Sequence, residues 1–256
     1  MKKNERHSRI VEDLEREPSL RVMELAARYS VSSETIRRDL AELEKRDAIS
    51  RTYGGALRLI SHEPGLSERR HLMVPERELI AQTTLSTIEK DDVLMIGGGI
   101  TTLCFAKALA HFSESVTVIT PSFGVALALG KCINIKVQVL PGQYNGKEGL
   151  VQGPDTTRAL ASFRATKAIL GASGVTEEGP ADAAIPSGLI YQTMAERSME
   201  TFIVADSGKF DKAALSSYST WAPSVKLVTD RKPQQTLYNA IKSAGTKILL
   251  PAKTIE

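Results

Sequence analysis

From Glu76 onward, short apolar runs of strand length alternate with stretches of helical period, and few folds accept that order. The runs are Val93 to Ile96, Val116 to Thr120, Val137 to Leu140, Ala168 to Leu170, Thr201 to Ala205, Lys226 to Thr229 and Lys247 to Leu250. Leu103 to Ala110, Val125 to Leu129 and Gln234 to Lys242 carry intervening helical patterns. Consecutive strands kept apart by helices pair in parallel through crossovers, so this part of the chain predicts an α/β domain with a mostly parallel sheet.

The residues before it obey a different pattern. Ile10, Val11 and Leu14 stand at helical spacing in a polar background until Pro18 interrupts. VMELAARY, residues 22–29, is a second compact helical stretch, and in the turn Ser30-Val31-Ser32 the last serine is placed to cap a third helix with its side-chain oxygen. Two helices meeting across so short a turn make a helix-turn-helix. Between Arg58 and Glu76 the stretch LISHEPGLSERRHLMVPE holds two prolines and no sustained period, and reads as a connection. The predicted division is a helix-turn-helix domain over 1–58, a linker over 59–75 and an α/β domain over 76–256. A chain of 256 residues with 42% hydrophobic and 25% charged residues has the length for two cores and the composition of a packed soluble protein.

Several classes fall away. No apolar run approaches the roughly 20 residues of a membrane span, and the opening MKKNERHSR has no apolar stretch behind its charges, so no membrane association is expected and the cytoplasm is the expected location. Cys104 and Cys132 are the only cysteines, and His7, His62, His71 and His111 are scattered singly, which predicts neither a disulfide framework nor a metal site; no cofactor is called for. The formal net charge of +3 is too small to announce nucleic-acid binding, so that case rests on where the charges sit.

Residues 33–46 place them tellingly. At about 100° per residue, Ile36, Leu40 and Leu43 share one face, while Glu34, Arg38, Ala41 and Lys45 lie opposite, flanked by Thr35 and Arg37. One face is core and the other is free. Early residues of a recognition helix reach base edges, and an arginine fork matches the paired acceptors of guanine. Ser32, Ser33 and the unpaired N–H groups of the helix start suit phosphates. Ile49-Ser50-Arg51-Thr52-Tyr53 then alternates apolar and polar before Gly54-Gly55, as one arm of a wing hairpin that would set Arg51 and Tyr53 beside the DNA backbone. The predicted DNA contacts are Ser32, Ser33, Glu34, Thr35, Arg37, Arg38, Arg51 and Tyr53. Asp39 borders the buried stripe, where a salt bridge to a neighbouring arginine fits better than base contact.

The series Arg6, Ile10, Leu14, Ser32, Thr35 to Leu40 and RTYGGA resembles the DeoR family of bacterial transcription regulators. The resemblance extends through nearly the whole chain. It implies a winged helix-turn-helix that binds an operator in double-stranded DNA, joined to an effector domain similar to the sugar-phosphate isomerase fold. It also implies a homo-oligomer, dimer or tetramer, and repression rather than activation.

Two turns in the second domain carry ligand chemistry. VLMIGGGITTLCFAKAL, 93–109, is a strand, a glycine turn and a helix, an arrangement that brings backbone N–H groups to an anion; it matches neither GxGxxG nor a Walker loop. FIVADSGKF, 202–210, delivers Asp206, Ser207 and Lys209 past the carboxyl end of a strand, where open α/β sheets bind ligands. The family's D-S-G-T-T, T-N-S, G-G and D-S-S-K-F turns have as counterparts here Gly97-Gly98-Gly99-Ile100-Thr101-Thr102, Thr120-Pro121-Ser122, Pro141-Gly142 and Asp206 to Phe210. The resemblance thus implies effector contacts at Gly97, Gly98, Gly99, Thr101, Thr102, Ser122, Gly142, Asp206 and Lys209. Gly97 replaces an aspartate and Pro121 an asparagine, so a carboxylate for sugar hydroxyls is gone while the anion cradle and Lys209 stay. The expected function is a repressor of a carbohydrate-utilisation operon relieved by a phosphorylated sugar. A sugar-phosphate isomerase or deaminase is the alternative, for which only Asp206 and Asp182 offer acid–base groups; a DNA-binding regulator with a degenerate pocket is another.

Overall fold

The computed structural model describes residues 3–16, 19–45, 49–52, 55–58 and 65–252. The chain divides into two compact units, Met1–His62 and Glu63–Glu256.

In the first unit, α1 (Lys3–Arg16), β1 (Ser19–Arg21), α2 (Val22–Tyr29) and α3 (Ser33–Lys45) precede two strands, β2 (Ile49–Thr52) and β3 (Gly55–Arg58). The strands form an antiparallel sheet in the order β1-β3-β2, so the wing hairpin exists and its outer partner is a three-residue strand that sequence periodicity is too short to reveal. Ile10, Leu14, Leu25, Ile36, Leu40 and Leu43 meet in one core. Each such side chain contributes about 1.5–3 kcal/mol when fully buried, which is why the apolar stripe of α3 fixes its rotation. The turn into α3 is closed by Ser30 in the left-handed conformation, φ 52°, as C-cap of α2. Ser32 Oγ then accepts from the Thr35 N–H at 3.1 Å, the cap expected from the sequence.

The second unit starts inside the segment the sequence assigns to a linker. Residues 59–64 lie outside the described residues, but α4 (Leu66–Arg69) and α5 (Val74–Leu85) already belong to this unit. Pro75, which breaks the sequence pattern, opens α5 at a position where a missing N–H costs nothing. Then come β4 (Val93–Ile96), α6 (Ile100–Leu109), β5 (Val116–Thr120), α7 (Phe123–Leu129) and β6 (Ile135–Val139). The hairpin β7 (Gln143–Asn145) and β8 (Leu150–Gln152) leads to α8 (Pro154–Ala161) and β9 (Ala165–Gly171). After β10 (Gly174–Thr176) and β11 (Gly179–Asp182) follow α9 (Ile185–Glu196), β12 (Ser198–Val204), a 3-10 turn (Ser207–Lys209), β13 (Ser216–Ser217), β14 (Val225–Val228), α10 (Gln235–Ser243) and β15 (Lys247–Leu249).

Seven of these strands form one parallel sheet in the order β15-β14-β12-β9-β4-β5-β6. The order runs outward in both directions from the β4–β9 pair, which makes that pair the topological switch point, the place where open α/β sheets bind ligands at the carboxyl ends of the strands. Alternate residues feed two cores. Leu94, Ile96, Ile169, Phe202 and Val204 pack with Ile80, Phe105, Leu109 and Val125 from α5, α6 and α7. Met95, Ala168, Leu170 and Ile203 pack with Leu160, Ile190, Met194 and Leu237 from α8, α9 and α10. At the amino ends of β4 and β9, Lys167 Nζ bonds the Asp92 carboxylate, which also accepts from Thr166 Oγ1 at 2.7 Å and the Glu89 N–H at 2.8 Å. Burial alone would raise the Asp92 carboxyl, but these donors hold it below the ordinary carboxylate range. Among the described residues no helix is long and apolar enough to cross a membrane.

Candidate functional site

The outward face of α3 is as cationic as its sequence predicts. Arg37 and Arg38 are 61% and 77% exposed, and their contacts with Glu34, at 3.9 Å and 3.4 Å, are loose pairs on the same surface. Both fork heads are therefore free to leave for another acceptor. Ser32 is exposed while Ser33 and Thr35 are half-buried. The Ser32 and Thr35 hydroxyls lie 2.9 Å apart, so these two side chains organise the helix start. Arg51 lies in β2, and Tyr53 falls outside the described residues.

Asp39 takes the structural part its position suggests. Its Oδ2 accepts from Arg6 Nε at 2.6 Å, and its Oδ1 from Arg6 Nη2 at 3.1 Å and His7 Nε2 at 2.9 Å. Burial pushes the carboxyl up, yet the hydrogen bonds from Arg6 and His7 outweigh it and hold Asp39 below the usual range. The same hydrogen bond raises the Arg6 guanidinium. This bolt fastens the N-terminal helix to α3 and so sets how the arginine pair is presented.

In the second unit the predicted positions follow β4, β5, β6 and β12, all at the carboxyl edge of the sheet. Gly97, Gly98, Gly99, Thr101 and Thr102 form the turn and first helical positions after β4, at the switch point itself. Gly99 has φ 113°, a conformation that favours glycine, and caps α6 without a side chain. Thr102 Oγ1 donates back to the Gly99 carbonyl at 3.1 Å. Ser122 is buried, and its Oγ accepts from the Val125 N–H at 3.4 Å as N-cap of α7. Gly142 follows β6 next to Thr156, whose hydroxyl donates to the Pro141 carbonyl at 2.7 Å. Lys209 is half-buried at the end of the 3-10 turn.

Asp206 does not face outward. Its side chain is 3% exposed, one oxygen accepts from the Gly208 N–H at 3.1 Å and the other lies 3.7 Å from Arg77 Nε. The carboxylate shapes the turn from within. Asp230 braces it from the next strand, accepting from the Ser207 N–H at 2.6 Å and the Ser207 hydroxyl at 2.8 Å.

Two aromatic residues at this edge have no signature in the sequence. Tyr191 of α9 donates its hydroxyl to the Gly98 carbonyl at 2.9 Å, and Tyr218 donates to the Gly171 carbonyl at 2.5 Å, while their rings meet edge to face at 5.4 Å. Burial pushes the Tyr218 phenol well up, with Tyr191 and Asp182 adding to it. The phenol at Gly98 has a directional consequence. In a trans peptide the C=O and the following N–H point opposite ways, so pulling the Gly98 carbonyl toward Tyr191 aims the Gly99 N–H away from it. Tyr191 also stands where a side chain at position 97 would go. A Cβ on Gly97 would sit 2.8 Å from Tyr191 Cε1, so the ring occupies the space an acidic side chain would enter.

A helix-turn-helix with a free arginine pair and an antiparallel wing, followed by a parallel α/β unit whose glycine turn occupies the switch point, defines a DNA-binding regulator with its own sensor unit. The chain belongs to the DeoR family of transcriptional regulators: the model of the DeoR-like helix-turn-helix domain matches residues 6–62, and that of the DeoR C terminal sensor domain matches 73–231. It is 31% identical to the uncharacterised HTH-type transcriptional regulator YulB of Bacillus subtilis, over 95% of each chain. It is 31% identical to the lactose phosphotransferase system repressor of Lactococcus lactis, over 83% of this chain and 85% of that one. It is 28% identical to the glycerol-3-phosphate regulon repressor of Escherichia coli, over 91% and 93%.

Proposed function

We propose that this regulator represses a carbohydrate-utilisation operon and leaves its operator when a phosphorylated sugar occupies the sensor unit. The observation that carries the reading is the pairing of an unencumbered Arg37–Arg38 face with a glycine turn at the β4–β9 switch point. Relatives named as repressors of a lactose phosphotransferase system and a glycerol-3-phosphate regulon support both halves. Arg37 and Arg38 read base edges, Glu34 lies between them, and Ser32, Ser33, Thr35, Arg51 and Tyr53 hold the backbone. The N–H groups of Gly98 to Thr102 and the Lys209 ammonium receive the phosphate, with Ser122, Gly142 and Gly97, whose own N–H donates to the Ile169 carbonyl, on the same edge. Two-fold related half-sites call for at least a dimer, and the place of action is the cytoplasm. Mechanism is linkage: a ligand that prefers the conformation with poorly spaced recognition helices draws the population off DNA.

The isomerase alternative is the weaker reading. Of its two acid–base candidates, Asp206 is buried with one oxygen on the Gly208 N–H and the other 3.7 Å from Arg77 Nε, and Asp182 accepts from the Ala184 N–H at 2.9 Å. With Tyr191 over Gly97, the turn keeps the backbone donors of an anion cradle and lacks room for a carboxylate at 97.

Operator selection from a random-sequence library, followed by titration with Arg37→Ala and Arg38→Ala, tests the DNA half. Each change is expected to weaken specific binding by about 1–3 kcal/mol and to relax the preference at one base. An equal loss on every sequence reassigns the arginine to phosphate; no loss for either refutes the docking. For the sensor half, a thermal-shift screen of pentose and hexose phosphates is expected to find a stabilising ligand, and stabilisation by none of them indicates a degenerate pocket.

A further inference from the structure

Arg77, in the first turn of α5, is a cation enclosed at 4% exposure. Its Nη1 donates to the main-chain carbonyl of Arg69 at 2.7 Å, at the end of α4. Its Nε lies 3.7 Å from the Asp206 carboxylate, beyond hydrogen-bond length, and has no other hydrogen-bond partner. A buried N–H left so is unfavourable and calls for an explanation. Asp206 meanwhile holds the turn that carries Lys209, and Met73 approaches the same turn, its Cε 3.9 Å from where a Cβ on Gly208 would stand. One guanidinium thus joins the ligand turn to α4, the first described element after the connection from the DNA-binding unit. Only a planar fork with several donors can serve both anchors at once; an ammonium on a flexible stem acts as a point charge.

We propose that Arg77 is the positioning residue that couples the Asp206–Lys209 turn to the chain entering from the winged helix. An anion bound at Lys209 shifts the Asp206–Arg77 contact from its 3.7 Å spacing, and the Arg69 carbonyl passes the difference to α4. This rests on the reading of the carboxyl edge as the effector site. Arg77 touches no ligand in this scheme; it sets the turn that does.

The test uses the full-length chain, a duplex selected by the wild type from a random library, and a panel of hexose and pentose monophosphates with inorganic phosphate. In the wild type the most effective compound is expected to weaken DNA binding by about tenfold or more. Arg77→Lys and Arg77→Met are expected to bind the duplex without ligand within about twofold of wild type, to keep a ligand-induced rise in melting temperature, and to show release of less than about twofold. Hydrogen exchange on the wild type gives a second, substitution-free reading: ligand should change protection at 206–209 and at 66–69 together. Release from both variants equal to wild type overturns the coupling, as does an exchange change confined to 206–209. If no compound moves the wild type in either binding or melting, the effector reading itself fails and the coupling with it.

Discussion

Replacing Asp39 by asparagine changes almost no volume and tests what the residue is for. The carboxylate accepts three hydrogen bonds, two from Arg6 and one from His7, among side chains that are 3%, 9% and 5% exposed in that order. An asparagine there has one oxygen to accept with and turns an N–H group toward donors, leaving the Arg6 charge without compensation in a dry site. Removing one partner of a buried ion pair is destabilising by about 3–5 kcal/mol. A unit of this size has about 3–9 kcal/mol of stability in all, at ~0.05–0.15 kcal/mol per residue. Asp39→Asn should therefore take most of the reserve of the DNA-binding unit. The assay is built into the chain: its single tryptophan, Trp221, is buried in the second unit and donates to the Thr176 carbonyl at 2.9 Å. Tryptophan fluorescence in urea then follows the second unit alone, while far-ultraviolet circular dichroism follows both. The expected outcome is an early loss of part of the dichroism with the fluorescence midpoint unmoved. The triple replacement Arg6→Met, His7→Leu and Asp39→Leu should recover most of the loss, because apolar packing substitutes for the buried polar cluster at little or no net cost. A melting profile changed by less than about 1 kcal/mol together with abolished DNA binding would refute this account and make Asp39 a DNA contact.

Acid should act on both units through depressed carboxylates. Since the folded-state values of Asp39 and Asp92 lie below the ordinary carboxylate value of about 4, the stability they contribute is complete above that pH and drains as pH falls through the folded values. Urea midpoints measured from pH 6 to pH 2 should fall for both probes, and in Asp39→Asn the acid loss of the N-terminal unit should shrink; an undiminished loss there contradicts the assignment. Gly97→Ala should be destabilising by about 1–3 kcal/mol through collision with Tyr191, and by less in a Tyr191→Leu background. Additivity of the two changes within about 0.5 kcal/mol in a double-mutant cycle would show that the two positions do not compete for space.

Much of the N-terminal unit was legible because its information is local. Ile36, Leu40 and Leu43 lie within two turns, and the Ser32 cap and the inward lean of Asp39 follow from helical period alone. The alternation after Glu76 likewise announced a parallel sheet, since each strand and its helix are neighbours in sequence. What escaped notice depends on residues far apart. Arg77 and Asp206 meet from distant parts of the chain, and Tyr191 reaches Gly98 over 93 positions, so neither pairing leaves a periodic trace. The apolar run before it marks Asp206 as lying past a strand end, but period cannot say whether a carboxylate at such an end faces ligand or guanidinium. Pro75 reads as a breaker in the sequence because a proline that starts a helix and one that ends it look alike when the next turn is also rich in charge.

The Asp92–Lys167 pair lies at the amino ends of β4 and β9, the rim opposite the glycine turn. The same two strands therefore carry their anchor at one end and the glycine turn proposed to receive the effector at the other, the length of β4 apart. Substitutions at the upper rim leave the anchor untouched. Such a division of labour lets one end of the scaffold vary while the other keeps its strands in place.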